Sequence, residues 1–380
     1  MHRVISRGAF RWLGPPGRPI ARVHDAVVDG VYGLVSTGIL GAGELGAAVM
    51  ARVADPGRHG DAVGPSRGRL RAQAIAHGVA AEHIVTSAPE LDIDVTLVHA
   101  RRPLAPAPAA LATAFPAPSG QLVVLLHGLV HSEDLWSEPA PDGATIPDLA
   151  TPQGWTPLAV RYGTGRPVAR NGADLARLLD DTVAAWPVTV TRIVLVGHSM
   201  GGLAARAAVA TAREQQHSWP SLVSDAVYLG TPHLGSWLEK VANVTTWTLR
   251  HSSSRSAPIG RLLDGRSQGI KDLRFGSLSE DDWRDVAVDG LLTGRRDAPA
   301  WDAGMRHHIV AGRLRAPERH PLTVALGDGL VRAGAATGRG VSRRVAGEAR
   351  VVTVTARHTA LGRHPETLRL VRDVLATDPR

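Results

Sequence analysis

The chain has 380 residues, 44 % of them hydrophobic, enough to bury a full core as one large domain with an appendage, which excludes disorder over most of its length. It contains no cysteine, so disulfides, thiolate metal sites and a cysteine nucleophile are excluded. The formal charge of +8 comes almost wholly from arginine, since Lys240 and Lys271 are the only lysines, and no basic run is interleaved with aromatics, so nucleic-acid binding is not expected.

The first stretch, residues 1–19, is basic but breaks at Pro15-Pro16 before any apolar core forms, and does not read as a secretory signal. Together with the missing cysteines this fits a cytoplasmic protein. Between Asp29 and Glu44 lies the longest uncharged run of the next segment, too short for the ~20 residues of a spanning helix. Val28, Val31, Val35 and Ile39 recur at helical spacing, and Gly38, Ala42 and Gly46 form a stripe that permits close helix packing. A helix packed on another helix or on the body is the expectation. The alternative is peripheral contact with a membrane, which a basic surface would favour through anionic headgroups.

Residues 55–68 read as a Gly/Pro-rich connection and Arg69–His83 as a second helix, so residues 1–85 form a helical N-terminal extension and 86–380 the main domain. Leu91–His99 alternates as a strand with one wet face, and Arg101–Gly120 is Pro/Ala-rich, a hairpin return and linker. From there strands alternate with helices. Leu122–Leu126, Leu158–Arg161, Ile193–Val196, Ala226–Leu229, His308–Val310 and Val351–Val354 are strands; Gly172–Trp186, the stretch from Leu203 onward and Leu368–Leu375 are helices. That alternation predicts an α/β fold, a mostly parallel central sheet with helices on both faces. Gly235–Trp301 interrupts it just past a strand end and carries Trp237, Trp247 and Trp283. A structureless loop of that length is improbable, so it reads either as a helical lid over an apolar pocket or as a packed insertion completing the core.

The chemistry centres on Gly197-His198-Ser199-Met200-Gly201-Gly202, between the strand at Ile193–Val196 and the helix from Leu203. A Cβ at Gly197 or Gly201 would collide with the neighbouring strand or helix, and the tight turn lifts the Ser199 hydroxyl above the sheet edge beside a helix N-terminus. A chain with 41 glycines can throw up such a pentapeptide by chance, but a flanking strand and helix argue for a nucleophile. A serine alone is a poor one; it needs a base, an orienting acid and donors for an oxyanion. Leu125-Leu126-His127-Gly128-Leu129 ends an earlier strand in a His-Gly turn, so the Leu129 and Met200 amides would make a two-donor hole and His127 would support the loop.

These motifs resemble those of the α/β-hydrolases, in the lipase-like branch that includes bacterial triacylglycerol lipases and GPI inositol deacylase-like hydrolases. The residues carrying the resemblance are LLHGL (125–129), GHSMGG (197–202), YLGTPHLGS (228–236), GDGLV (327–331) and the histidine of TARHTALGRHPE (355–366). They span residues 121–380 and leave out the extension and the lid. The resemblance implies the order nucleophile, acid, histidine. The base is then His358, after the last strand, with His364 as the weaker candidate. The acid is Asp328, with Glu318 in the same connection as runner-up. His233, Trp136 and Trp237 are the pocket-lining candidates. No metal or other cofactor is called for. The implied activity is a serine carboxylester hydrolase, esterase- or lipase-like, acting on a small-molecule or lipid ester. An acyltransferase on the same triad and a non-catalytic scaffold on a hydrolase body are the alternatives. Because every proposed catalytic group lies after residue 121, the extension is expected to be dispensable for the chemistry.

Overall fold

The structure is a computed structural model and describes residues 64–87, 89–233, 269, 272, 301–313 and 349–377. The segment around Ala26–Met50, most of the Gly235–Trp301 insertion with Trp237, Trp247 and Trp283, Glu318 and Asp328 lie outside the described residues.

Among the described residues, the strands are β1 Thr96–His99, β2 Arg102–Leu104, β3 Gln121–Leu126, β4 Thr156–Arg161, β5 Arg192–His198, β6 Val223–Leu229, β7 Arg306–Arg313 and β8 Arg350–Thr355. They form one sheet in the order β2-β1-β4-β3-β5-β6-β7-β8. The pairs β1–β2 and β1–β4 are antiparallel, and all pairs from β4 to β8 are parallel. The helices are α1 Arg67–Ser87, α2 Pro108–Ala114, α3 Ile146–Ala150, α4 Val168–Ala185, α5 Met200–Glu214 and α6 Pro365–Ala376. The fold class read from the sequence is the one observed. The Pro/Ala-rich stretch holds the expected hairpin return, β2, but also a helix that was not expected: Pro108 opens α2 at a position where its missing N–H costs nothing.

Side chains of a strand alternate between faces, and β3 and β5 are buried on both. On one face Leu122, Val124, Leu126, Ile193 and Leu195 meet α4 and α5; on the other Val123, Leu125, Val194 and Val196 meet α3 and α6. Leu175 and Leu179 of α4 and Leu203 and Ala207 of α5 complete the first layer. Those two helices pack closely because Gly172 faces Ala207, where a Cβ would approach the alanine Cβ to 2.5 Å. Val371 and Val374 of α6 with Trp155 anchor the second layer. Truncating a fully buried leucine such as Leu195 would cost about 2–5 kcal/mol.

The winding reverses about β3. The chain runs from β3 outward to β4, then returns to β5 on the other side of β3. The chain leaves β3 toward α3 on one face and leaves β5 into α5 on the other, so the carboxyl ends of these strands form the switch point at which such sheets carry their crevice. At the opposite end a buried charge cluster ties three strands together. Asp225 of β6, 1 % exposed, accepts from Arg192 of β5 (3.0 Å), Arg306 of β7 (2.8 Å) and His308 Nε2 of β7 (2.8 Å). Arg192 also donates to the carbonyls of Val374 (3.3 Å) and Thr377 (2.5 Å) at the end of α6.

Candidate active site

Ser199 stands between β5 and α5, at the crevice, with φ +53° and ψ −118°. A side chain strongly disfavours that conformation, and strain of this kind persists only where neighbours enforce it. Here the Ser199 N–H donates to the Leu229 carbonyl at 2.8 Å, and the Gly202 N–H donates back to the Ser199 carbonyl at 3.1 Å. The turn closes only because its flanks lack side chains. A Cβ on Gly197 would lie 2.5 Å from the Gly202 nitrogen, and one on Gly201 would lie 2.3 Å from the Leu126 carbonyl oxygen. Met200 is the first residue of α5, so its N–H belongs to the donors a helix leaves free.

The loop after β3 lies against this turn. A Cβ on Gly128 would come within 3.1 Å of the Ser199 Cβ. His127 is wholly buried, stacks on Tyr162 with ring centroids 4.3 Å apart, and has its carbonyl held by the Tyr162 hydroxyl. Burial lowers its pKa to about 4, so the ring is neutral. Its Nδ1–H donates to the Gly128 carbonyl at 3.1 Å, and its Nε2 accepts from the Tyr162 N–H at 3.4 Å. The His131 Nδ1–H donates to the Leu129 carbonyl at 2.8 Å, and the His131 N–H to the Gly128 carbonyl at 3.2 Å. The two peptide planes on either side of Leu129 are thus each pinned.

His358 opens a short 3-10 turn, His358–Arg363, after β8 and is 5 % exposed. Its ring rests on Gly230, at φ +64°, where a Cβ would lie 2.9 Å from Cε1 and 3.0 Å from Nδ1. Gly230 follows the residue whose carbonyl holds the Ser199 amide, so one stretch of backbone underlies both side chains. From below, the neutral His198 donates its Nε2–H to the His358 carbonyl at 3.0 Å. Burial, with His358 beside it, drives the His198 pKa well down. Ser199, Leu129, Met200 and His358 therefore converge at the carboxyl ends of β3, β5 and β8.

Of the other candidates, His233, Trp136 and His364 are among the described residues. His233 accepts from Arg206 at its Nδ1 (3.3 Å) and packs against Tyr228 and Trp301, bracing the Thr231–His233 turn beside α5. Trp136 is buried in the second core layer and lines a cleft with Leu135, Ile146, Thr359 and Gly362, next to the turn that carries His358. His364 caps α6, its Nδ1 accepting the Glu366 N–H at 3.3 Å. Asp328, Glu318 and Trp237 lie outside the described residues. Sequence reasoning missed His131, His198, Tyr162 and Gly230 as supports; the last three act on segments distant in the chain, and His131 bonds carbonyls of its own loop, which no spacing announces.

A family model described as a PGAP1-like alpha/beta domain matches residues 179–255, which include the elbow at Ser199. No curated protein matches the sequence. Among solved structures, a Bacillus licheniformis lipase, BlEst2, in mature form is similar at 18 % identity over 68 % of this chain and 92 % of that one, with a TM-score of 0.44. A Pyrococcus furiosus esterase is similar at 15 % identity over 68 % and 81 %, with a TM-score of 0.39. A probable hydrolytic enzyme from Pseudomonas aeruginosa is similar at 16 % identity over 69 % and 87 %, with a TM-score of 0.37. The strand order and the strained elbow at its switch point give the chain a fold of the α/β-hydrolase type. Among the described residues no helix is long and apolar enough to cross a membrane.

Proposed function

We propose that the protein is a serine carboxylester hydrolase acting on an apolar or lipid-like ester. One observation carries the reading: Ser199 is held in a strained conformation at the tip of β5, with the Gly128–Leu129 backbone packed against it and His358 beside the same underlying strand end. The match of residues 179–255 to a PGAP1-like domain supports it. In this reading His358 takes the proton from Ser199 as the oxygen attacks the ester carbonyl. The Leu129 and Met200 amides receive the oxyanion, the alcohol leaves with a proton from His358, and water activated by the same ring releases the acid. Asp328 orients the imidazole and stabilises its protonated form. The tryptophans of the Gly235–Trp301 insertion and Trp136 supply apolar surface for the acyl chain.

The test is covalent labelling by a fluorophosphonate, paired with hydrolysis of a panel of esters of increasing acyl length. Ser199→Ala is expected to fold as the wild type, to take no label and to lose about 10⁴-fold or more of its turnover. Full activity in that variant would remove the nucleophile. Product analysis with an added alcohol separates hydrolysis from acyl transfer.

A further inference from the structure

Helix α1 lies in the stretch that the sequence sets apart as an extension, yet it is seated on the loops that flank the crevice. Its buried face is Leu70, Ala74, His77, Ala81 and Ile84. The loop after β4 is pressed against it: a Cβ on Gly163 would lie 2.4 Å from His77 Cε1, and one on Gly165 would lie 2.0 Å from the His77 carbonyl oxygen. His77, fully buried, pairs with Asp92 at 2.7 Å and accepts the Gly165 N–H at its Nδ1 (3.3 Å), while Arg166 pairs with Asp92 and Asp94. One residue further along, Gly78 faces Val130, and a Cβ there would approach Val130 Cγ1 to 2.7 Å and Thr164 Oγ1 to 3.2 Å.

Val130 follows Leu129 and sits at φ +55°. A β-branched residue in the left-handed region is an outlier, kept there only by what surrounds it. Three of those surroundings are visible. The Val130 N–H donates to Thr164 Oγ1 at 3.2 Å, the Leu129 carbonyl accepts from His131, and Gly78 backs the valine side chain. The first and third depend on how α1 and the loop after β4 are seated on each other.

We infer that Gly78 of α1, acting through Val130 and Thr164, is a positioning residue that sets the direction of the Leu129 amide toward the oxyanion. The inference rests on the ester-hydrolase reading for its catalytic consequence, but not for the mechanical coupling itself. A helix interior ordinarily prefers alanine to glycine, so Gly78→Ala would favour the isolated helix. Any loss it causes comes from its contacts with Val130 and, less closely, Thr164. A donor displaced by about 1 Å costs on the order of 10²-fold in turnover, with little effect on ground-state binding.

The experiment uses the full chain and a short-chain p-nitrophenyl ester. Gly78→Ala is expected to lower kcat by about 10- to 100-fold with KM unchanged, and to speed amide hydrogen exchange in the segment His127–Ser132. Adding Val130→Ala, which removes the opposed methyl, is expected to restore most of both. Should Gly78→Ala fail to fold, Thr164→Val takes its place, deleting the acceptor of the Val130 N–H while keeping the side-chain shape, with the same two losses expected. Unchanged exchange over His127–Ser132, unchanged turnover, or a loss that Val130→Ala does not relieve would overturn the inference. If the wild type neither takes the fluorophosphonate nor cleaves the ester, the ester-hydrolase reading fails by itself, and the exchange measurement still decides the coupling.

Discussion

Ser199 holds its unusual backbone angles through two hydrogen bonds and three glycines, so its placement is a property of the turn and not of the serine. The surrounding histidines show how much one side-chain type can differ by place. His127 and His198 are fully buried and neutral, and each spends its ring on holding a backbone carbonyl. His358 presents its ring above Gly230 in the crevice. In the proposed reading the orienting acid is Asp328, between Gly327 and Gly329 in the sequence, with Glu318, between Pro317 and Arg319, as the alternative. Asp328→Asn keeps the shape but cannot compensate an imidazolium, and is expected to lower turnover by about 10⁴-fold. Glu318→Gln is expected to change little. The opposite outcome in the same ester assay would exchange the two roles and leave Ser199 and His358 in place. The elbow was legible in the sequence because strand, glycines, serine and helix are contiguous, so local sterics alone announce them. The supports were not. Gly230 under the imidazole and Tyr162 under His127 act across loops from different strands, and their meaning exists only once the sheet order is known.

At the scale of elements, the two ends of the sheet are built differently. The carboxyl ends of β3, β5 and β8 meet in strained turns and backbone donors, whereas the amino ends of β5, β6 and β7 are closed by the ion cluster around Asp225. Burial by itself would raise the Asp225 pKa, but hydrogen bonds from His308, Arg306, Ser224 and Arg192 outweigh it and hold the carboxyl far below its ordinary range. A carboxyl depressed in the folded state contributes stability that is present above its unfolded pKa of about 3.9 and lost as the pH falls through the folded value. Asp225→Ala strands two arginines and is expected to cost about 3–5 kcal/mol at pH 7, measured by urea unfolding. The gap to the wild type should narrow below about pH 4. A gap constant down to pH 2 would show that packing, not charge, does the holding. Most elements could be placed from periodicity, including α1 to within a few residues. Its partner surface could not, since Gly78 in a helical pattern reads only as a local weakness. The helix at Pro108–Ala114 was hidden by its composition, which suits a linker equally well.

For the whole molecule, the described residues all fall within Gly60–Arg380, one of the two units into which the chain's contacts divide it. The sequence argues that a chain starting near residue 86 keeps its chemistry. The contacts of α1 argue otherwise, because such a cut leaves Asp92 without His77 and removes the backing of Val130. A chain beginning at residue 60 is expected to fold and to label at Ser199 at the wild-type rate. One beginning at residue 88 is expected to aggregate or to label far more slowly. Equal labelling of two soluble truncations would show that α1 contributes nothing to the site.

The anchoring of the last helix has a consequence for how the protein comes into being on the ribosome. Trp155 donates its indole N–H to the Leu375 carbonyl at 3.1 Å, 220 residues later, and Arg192 reaches the carbonyls of Val374 and Thr377 across a similar span. Synthesis at about 5–20 residues per second delivers the centre of the sheet well before those partners emerge. During that interval the face of the sheet that α6 will cover stays open to solvent. The nascent chain therefore passes through a state with exposed apolar strand surface, the form in which chaperone capture or aggregation competes with closure. The growing chain is at its most vulnerable just before α6 emerges.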